Sequence, residues 1–379
     1  MARIDLFRME RMQSLYWHEV EYDLSESGVL PLTIEELLEL GGVPEPASFL
    51  RTGLGYPLSE GSLESRERIA TWYPGATVDN VTVVNGGSEA NFLALWTLLS
   101  PGDRLAFMVP NYMEGWGLGR HFADATDVFR LKLHEGRWTL DLPALQRAAG
   151  RKRTKVIMVC NPNNPTGSVL TAEEMDAVID VARKAHAWIV ADEIYRGAEV
   201  SGAKTSPTFW GRYDKVVITS GLSKAFGMPG LRVGWAVGPE DFIKNLWVRH
   251  DYTTLTPGMA SDRLCAIAME PHTRGKVLAR SRSIIRQNLP RLEEWIATHE
   301  DIFEYARPVA GAIAYVKYHL PVKSTELIDH IRKEQSVLLV PGDMFGLGKG
   351  IRFGFGYEIE RTLKGLARVD EVLESVAAR

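Results

Sequence analysis

Short apolar runs rich in β-branched residues recur through the middle of the chain. They are "VTVV" (81–84), "RLAFMV" (104–109), "KVIMVC" (155–160), "WIVAD" (188–192), "KVVITS" (215–220) and "VGWAVG" (233–238). Runs of this length read as buried strands. Between them, "SEANFLALWTLL" (88–99), "TAEEMDAVIDVARKAH" (171–186) and "PEDFIKNLWVRH" (239–250) carry helical spacing. Thr171 and Glu174 form the T-x-x-E capping box that opens the second of these helices. Strands alternating with helices predict an α/β fold, in which helices sandwich a mostly parallel sheet.

The pattern changes after about residue 258. A helical stretch over roughly 259–300 is expected to be broken by Pro271 and Pro290. Then follow "IAYVKYHL" (313–320), a helix near 324–335, "SVLLVPG" (336–342), "GIRFGFG" (350–356) and a final helix from about 359. This predicts a large domain over 45–275 and a smaller α+β domain assembled from both termini, 1–44 and 276–379.

Composition removes several function classes. The net charge of −4 offers no basic field for nucleic acid. Two cysteines, Cys160 and Cys265, make no disulfide framework and have no metal-ligand spacing, so no metal is expected. No run approaches the ~18 consecutive apolar residues of a membrane span. The opening "MARIDLFRMERMQSLYWHEVEYDL" alternates charged with apolar residues, unlike a secretory signal. The expectation is a cytoplasmic protein with no membrane partner.

The candidate chemistry centres on "ITSGLSKAFGMPGLRVGW" (218–235), where Lys224 follows an apolar strand among small residues. Glycines suit places where backbone must approach another group closely. A lysine held there is partly desolvated, which favours the neutral amine needed to form an imine. A surface lysine is the ordinary alternative. Gly86, Gly87 and Ser88, between a strand and a helix, form either a tight turn or an anion cradle, and Arg232 is a second anion ligand. In "NPNNPTG" (161–167), Asn164 is either a loop residue or an amide presented to a ligand oxygen. In "ADEIY" (191–195), Asp192 either caps a helix or faces a heterocyclic nitrogen and keeps it protonated.

Taken together, "NPNNPTG", "ADEIY" and "SGLSKAFGMPGLRVGW", in this order, resemble the class I/II aminotransferases, pyridoxal-phosphate enzymes of the aspartate aminotransferase fold type (fold type I). The resemblance runs from about Gly55 to "VPGDMFG" and "IRFGFG". It implies an enzyme that moves an amino group from an L-amino acid to a 2-oxo acid, with pyridoxal 5′-phosphate as cofactor. It makes Lys224 the Schiff-base lysine, Asp192 the partner of the pyridinium nitrogen, and Asn164 and Tyr195 contacts of the phenolic oxygen. Lys224, Asp192 and Tyr195 are the catalytic candidates. Gly87, Ser88 and Arg232 are implied to hold the phosphate, Tyr112 to stack on the ring, and Arg352 to clamp the substrate α-carboxylate. The family also implies a homodimer with shared sites, in which Tyr56 reaches the neighbouring subunit's cofactor and Thr254 or Thr256 lies near the partner's site. Many relatives carry serine where this chain has Gly221, so one phosphate contact is either missing or taken over by Ser223.

The N-terminal stretch differs from the usual aminotransferase opening. It resembles capreomycidine-synthase-type cyclases of the same fold type, in "SESGV" (25–29) and in Glu10 ahead of an aromatic-rich helix. On that resemblance Glu10 and Glu26 would receive a guanidinium; otherwise both are solvated residues. An eliminating or cyclising enzyme acting on a hydroxyarginine-like substrate is therefore a second expectation, and a non-catalytic regulator a third. His250 reads as a helix-end cation or a site residue. Trp17 and Trp116 are the tryptophans expected to be able to meet substrate.

Overall fold

The computed structural model describes residues 4–202 and 204–377. Its largest sheet has eight strands in the order Val81–Val84, Gly234–Val237, Val216–Gly221, Trp188–Asp192, Thr154–Cys160, Arg104–Val109, Ala125–His134 and Arg137–Leu140. The six strands read from the apolar runs all lie in it. Those from Val216–Gly221 through Ala125–His134 pair in parallel, while Gly234–Val237 runs antiparallel to both neighbours. The four central parallel strands, Val216–Gly221, Trp188–Asp192, Thr154–Cys160 and Arg104–Val109, are buried along almost their whole length, as expected where helices cover both faces. Helices Gly87–Leu98, Ala172–Ala185 and Glu240–His250 fall within a residue of their expected bounds. The Thr171–Glu174 capping box is formed in both directions.

A four-stranded antiparallel sheet follows, in the order Phe303–Tyr305, Ile313–Tyr318, Gly350–Gly354 and Val340–Pro341. Tyr22–Asp23 pairs in parallel with Val337–Leu338, which ties the N-terminal segment to the C-terminal third.

One expectation fails. Pro271 separates two helices, Met259–Met269 and Pro271–Ala297, and sits at the first turn of the second, where its missing N–H costs nothing. Pro290, however, lies inside an unbroken helix. An interior proline costs roughly 3 kcal/mol. Ile285, Leu289, Leu292 and Ile296 bury one face of this helix completely or nearly so. At about 1.5–3 kcal/mol per buried side chain, that face outweighs the lost hydrogen bond.

Candidate active site

The parallel strands end beneath a cavity of about 490 Å³. Cys160 and Asp192 close two of these strands and line it, as ligand sites in open α/β sheets do. Helix Arg8–Tyr16 and the segment after Tyr22–Asp23 cover the cavity, and Arg352 enters from the four-stranded sheet.

Lys224 Nζ lies 2.7 Å from Glu26 Oε1. The same oxygen accepts from the backbone N–H groups of Ser27 (2.8 Å) and Gly28 (2.9 Å). Burial opposes the Glu26 charge, but the Lys224 ammonium and these hydrogen bonds outweigh it and bring its pKa down to about 2. Close approach makes the pair possible: a Cβ on Gly28 would stand 3.3 Å from the Ser223 carbonyl oxygen and 3.8 Å from Lys224 Cδ.

Asp192 is buried. Its Oδ1 accepts from the Ile194 N–H (3.0 Å) and its Oδ2 from Asn91 Nδ2 (3.0 Å). Burial raises its pKa, and these two donors oppose the rise. Among the described residues no ion pair reaches it.

The backbone at Gly86 and Gly234 is packed too tightly for side chains. Gly86 has φ +96° and opens helix Gly87–Leu98. A Cβ on Gly86 would stand 2.4 Å from Arg232 Nη2, and one on Gly234 would stand 2.3 Å from the Gly86 carbonyl carbon. Arg232, itself in the left-handed region at φ +50°, donates to the Pro229 carbonyl (3.1 Å) and reaches Ser223 Oγ (3.5 Å). Gly87, Ser88, Ser223 and Arg232 all line the cavity. Backbone packing leaves no room for a side chain at Gly221, where a Cβ would stand 2.6 Å from the Val233 carbonyl oxygen and 3.0 Å from Gly234 Cα.

Arg352 is almost fully buried; it donates to Asn164 Oδ1 (3.1 Å) and to the Ser25 carbonyl, and lies over the Phe345 ring. Its Nε–H is buried without a partner among the described residues, so the guanidinium is not saturated by protein. Tyr195 donates to Ser27 Oγ (3.0 Å), and Tyr112 donates to Glu10 Oε1 (2.8 Å). Glu10 and Trp17 line the same cavity.

The structure thus brings the sequence-proposed catalytic, cofactor and substrate residues to one cavity, apart from Tyr56; Thr254, Thr256, Trp116 and His250 also lie outside it. Tyr56 is 83% exposed and lines a separate surface hollow with Thr254 and Thr256. Trp116 lines another hollow. His250 is fully buried, with Nε2 3.1 Å from Thr254 Oγ1 and 3.6 Å from Glu89, away from the cavity. Sequence reasoning missed Asn91, Gln13 and Ser27. Asn91 was findable: it is a lone amide inside the apolar helix "ANFLALW".

The donor set fits a phosphorylated pyridine aldehyde. Arg232 and a helix start gather at a phosphate site, a buried carboxylate without a cation suits a protonated ring nitrogen, and an amine stands in the same cavity. No helix among the described residues is long and apolar enough to cross a membrane, and none of their acid, histidine and cysteine side chains group to hold a metal.

Fold and site define a pyridoxal 5′-phosphate-dependent enzyme of fold type I. The family model for aminotransferase class I and II matches residues 20–369, and the chain belongs to that family. It is similar to capreomycidine synthase of Streptomyces vinaceus, 29% identical over 365 residues covering 94% of this chain and 91% of that one. A pyridoxal-phosphate-dependent aminotransferase from Streptococcus suis has a similar structure, with TM-score 0.90 and 29% identity over 99% of both chains. The pyridoxal-phosphate-dependent cyclase OrfR superposes with TM-score 0.87 at 27% identity over 98% of both chains.

Proposed function

We propose that the protein is an aminotransferase that moves the amino group of an L-amino acid to a 2-oxo acid, with Lys224 as the residue that bonds the cofactor. The observation that carries this reading is the convergence of Lys224, Asp192, Arg232 and Arg352 on one cavity. Pyridoxal phosphate, when bound, supplies an electron sink for negative charge at the substrate Cα. The chain supplies the rest. Arg232, Ser88, Ser223 and the Gly87 backbone bind the phosphate. Asp192 holds a proton at the ring nitrogen, and Tyr195 with Asn164 serves the phenolic oxygen. Arg352, with its open Nε–H, binds the substrate carboxylate in a planar fork. With the cofactor bound, Lys224 would be the free amine that carries the proton from the substrate Cα to the cofactor's aldehyde carbon. Glu26, 2.7 Å from Nζ, steadies that amine when it is charged.

A second reading is favoured by one observation. All three donors to Glu26 use Oε1, which leaves Oε2 without a hydrogen bond among the described residues, and Glu10 lines the same cavity. Two carboxylates on the cover suit a guanidinium. The similarity to capreomycidine synthase and to a cyclase supports this reading, in which a hydroxyarginine-like amino acid loses water and closes a ring. Incubation with a panel of amino acids and 2-oxoglutarate separates the two. Stoichiometric glutamate supports transamination; dehydrated product without glutamate supports the second reading and ends the first.

The exposed Leu50, Leu54, Tyr56 and Tyr252 support a homodimer in which Tyr56 meets the partner's cofactor phosphate. A cytoplasmic location and the division into 45–275 and 1–44 with 276–379 belong to the same proposal.

A further inference from the structure

Behind Asp192 lies a polar relay that no cofactor contact requires. Asn91 Nδ2 donates to Asp192 Oδ2 (3.0 Å) and also to Glu114 Oε2 (3.2 Å). Its Oδ1 accepts from the Thr219 hydroxyl at 2.6 Å. Thr219 sits on the central strand Val216–Gly221, Asn91 on helix Gly87–Leu98, and Glu114 begins helix Glu114–Phe122. Three elements therefore fix one amide. Reversing it would turn its carbonyl toward two carboxyl groups, so only one orientation satisfies every partner. Asn91 borders the cavity, whereas Glu114 borders a different hollow and does not.

From this geometry we infer that Asn91, oriented by Thr219 and Glu114, is the positioning residue that keeps Asp192 ionised for the cofactor's ring nitrogen, with Glu114 acting through it. The inference rests on the assignment of Asp192 to that nitrogen. An anion accepting an N–H is favoured over its neutral form, and among the described residues one other donor, the Ile194 N–H, reaches the Asp192 carboxylate. The titratable and polar groups facing Glu114 among the described residues are Asn91, Asp192, Glu10 and Tyr112, with no cation among them. Burial pushes its carboxyl well above the usual carboxylate range. A neutral acid can fix the amide without placing a second negative charge beside Asp192. The contact is an expensive one to bury unless it does something.

The test uses the full chain freed of cofactor and titrated with pyridoxal phosphate, read by its visible absorbance and induced circular dichroism at several pH values. Asn91→Leu removes the donor at similar volume. It is expected to weaken cofactor binding about tenfold and to move the acid limb of the visible titration up by about one pH unit, since an unassisted Asp192 takes its proton sooner. Glu114→Leu shifts both readouts in the same direction by a smaller amount, about threefold in affinity. Glu114→Gln, whose carbonyl still accepts from Asn91, stays within about twofold of the parent. Thr219→Val is isosteric and loosens the amide from the other side, so it decides the matter if Asn91→Leu does not fold. The inference is overturned if the parent develops its band and both Asn91→Leu and Thr219→Val match it in affinity and pH titration. A parent that binds no cofactor overturns the assignment of Asp192 as well, and so separates the two failures.

Discussion

The floor and the cover of the cavity are built differently. The floor is made of strand ends and packed backbone: Asp192 and Asn164 are buried, and a Cβ at Gly86, Gly221 or Gly234 would stand within 2.6 Å of a neighbouring atom. The cover is made of side chains on a short helix and the segment after it. Gln13 Nε2 reaches both the Ser25 carbonyl and its Oγ at 3.0 Å, Tyr112 reaches Glu10, and Trp17 is still 37% exposed. Close-packed backbone tolerates almost no change. Polar side chains on a partly exposed helix can be exchanged with the rest of the fold intact. On the proposed function, the floor would serve the cofactor chemistry and the cover would choose the amino acid.

The largest effect belongs to the floor. Lys224→Ala is expected to lower turnover at least about 10³-fold, the scale of losing both the covalent anchor and the proton carrier. The visible band of cofactor bound to the parent should be absent. Single-turnover kinetics and the absorbance spectrum check this; turnover near the parent value, with no added amine, would show that the floor has been misread.

Arg352 joins the two regions, since it donates to Asn164 on one side and to the Ser25 carbonyl on the other. Arg352→Lys keeps the charge but loses the planar fork. The expected result is a KM for the amino acid raised about 10–100-fold, with cofactor affinity unchanged. A loss of cofactor affinity instead would place Arg352 with the floor alone.

These two residues also show what the sequence made legible. The cofactor end could be read because close backbone packing demands glycines and a strand end demands an apolar run, and both leave marks in one dimension. The strand Ala125–His134 and its partner Arg137–Leu140 could not be read so easily. They lie at the sheet edge, where burial alternates and "ATDVFRLKLH" carries charge at every second or third position. Pro290 misled for the opposite reason: a local rule was overridden by burial that only the tertiary structure supplies. The Glu26–Lys224 contact joins residues 198 positions apart. Nothing local in "SESGV" announces it, although the resemblance of that stretch to cyclases had already pointed to Glu26.

That contact gives the third test. The Glu26 carboxyl is held at about 2 against an ordinary value of 4.5. A depressed acid stabilises the folded state above its unfolded pKa and loses that contribution as pH falls toward the folded value. Glu26→Gln apoenzyme should therefore be less stable than the parent at neutral pH, by roughly 1–3 kcal/mol once burial costs are set against the pairing. The difference should close between pH 4.5 and about 2. Urea unfolding across that range measures it. A gap that stays constant with pH would mean that packing, rather than charge, joins the cover to the floor.

The smallest effect is the most informative about the cover. Glu10→Gln leaves an amide carbonyl to accept from Tyr112, so the helix should keep its seat and stability should move by less than about 0.5 kcal/mol. What it removes is one negative charge facing the cavity. If the cover selects a guanidinium, KM for arginine-like amino acids rises several-fold, up to about tenfold, while KM for alanine stays put. If both constants move together, Glu10 only anchors the helix through Tyr112. If neither moves, the cationic side chain is met by Glu26 alone. Each result divides the cover differently between holding itself in place and choosing a substrate.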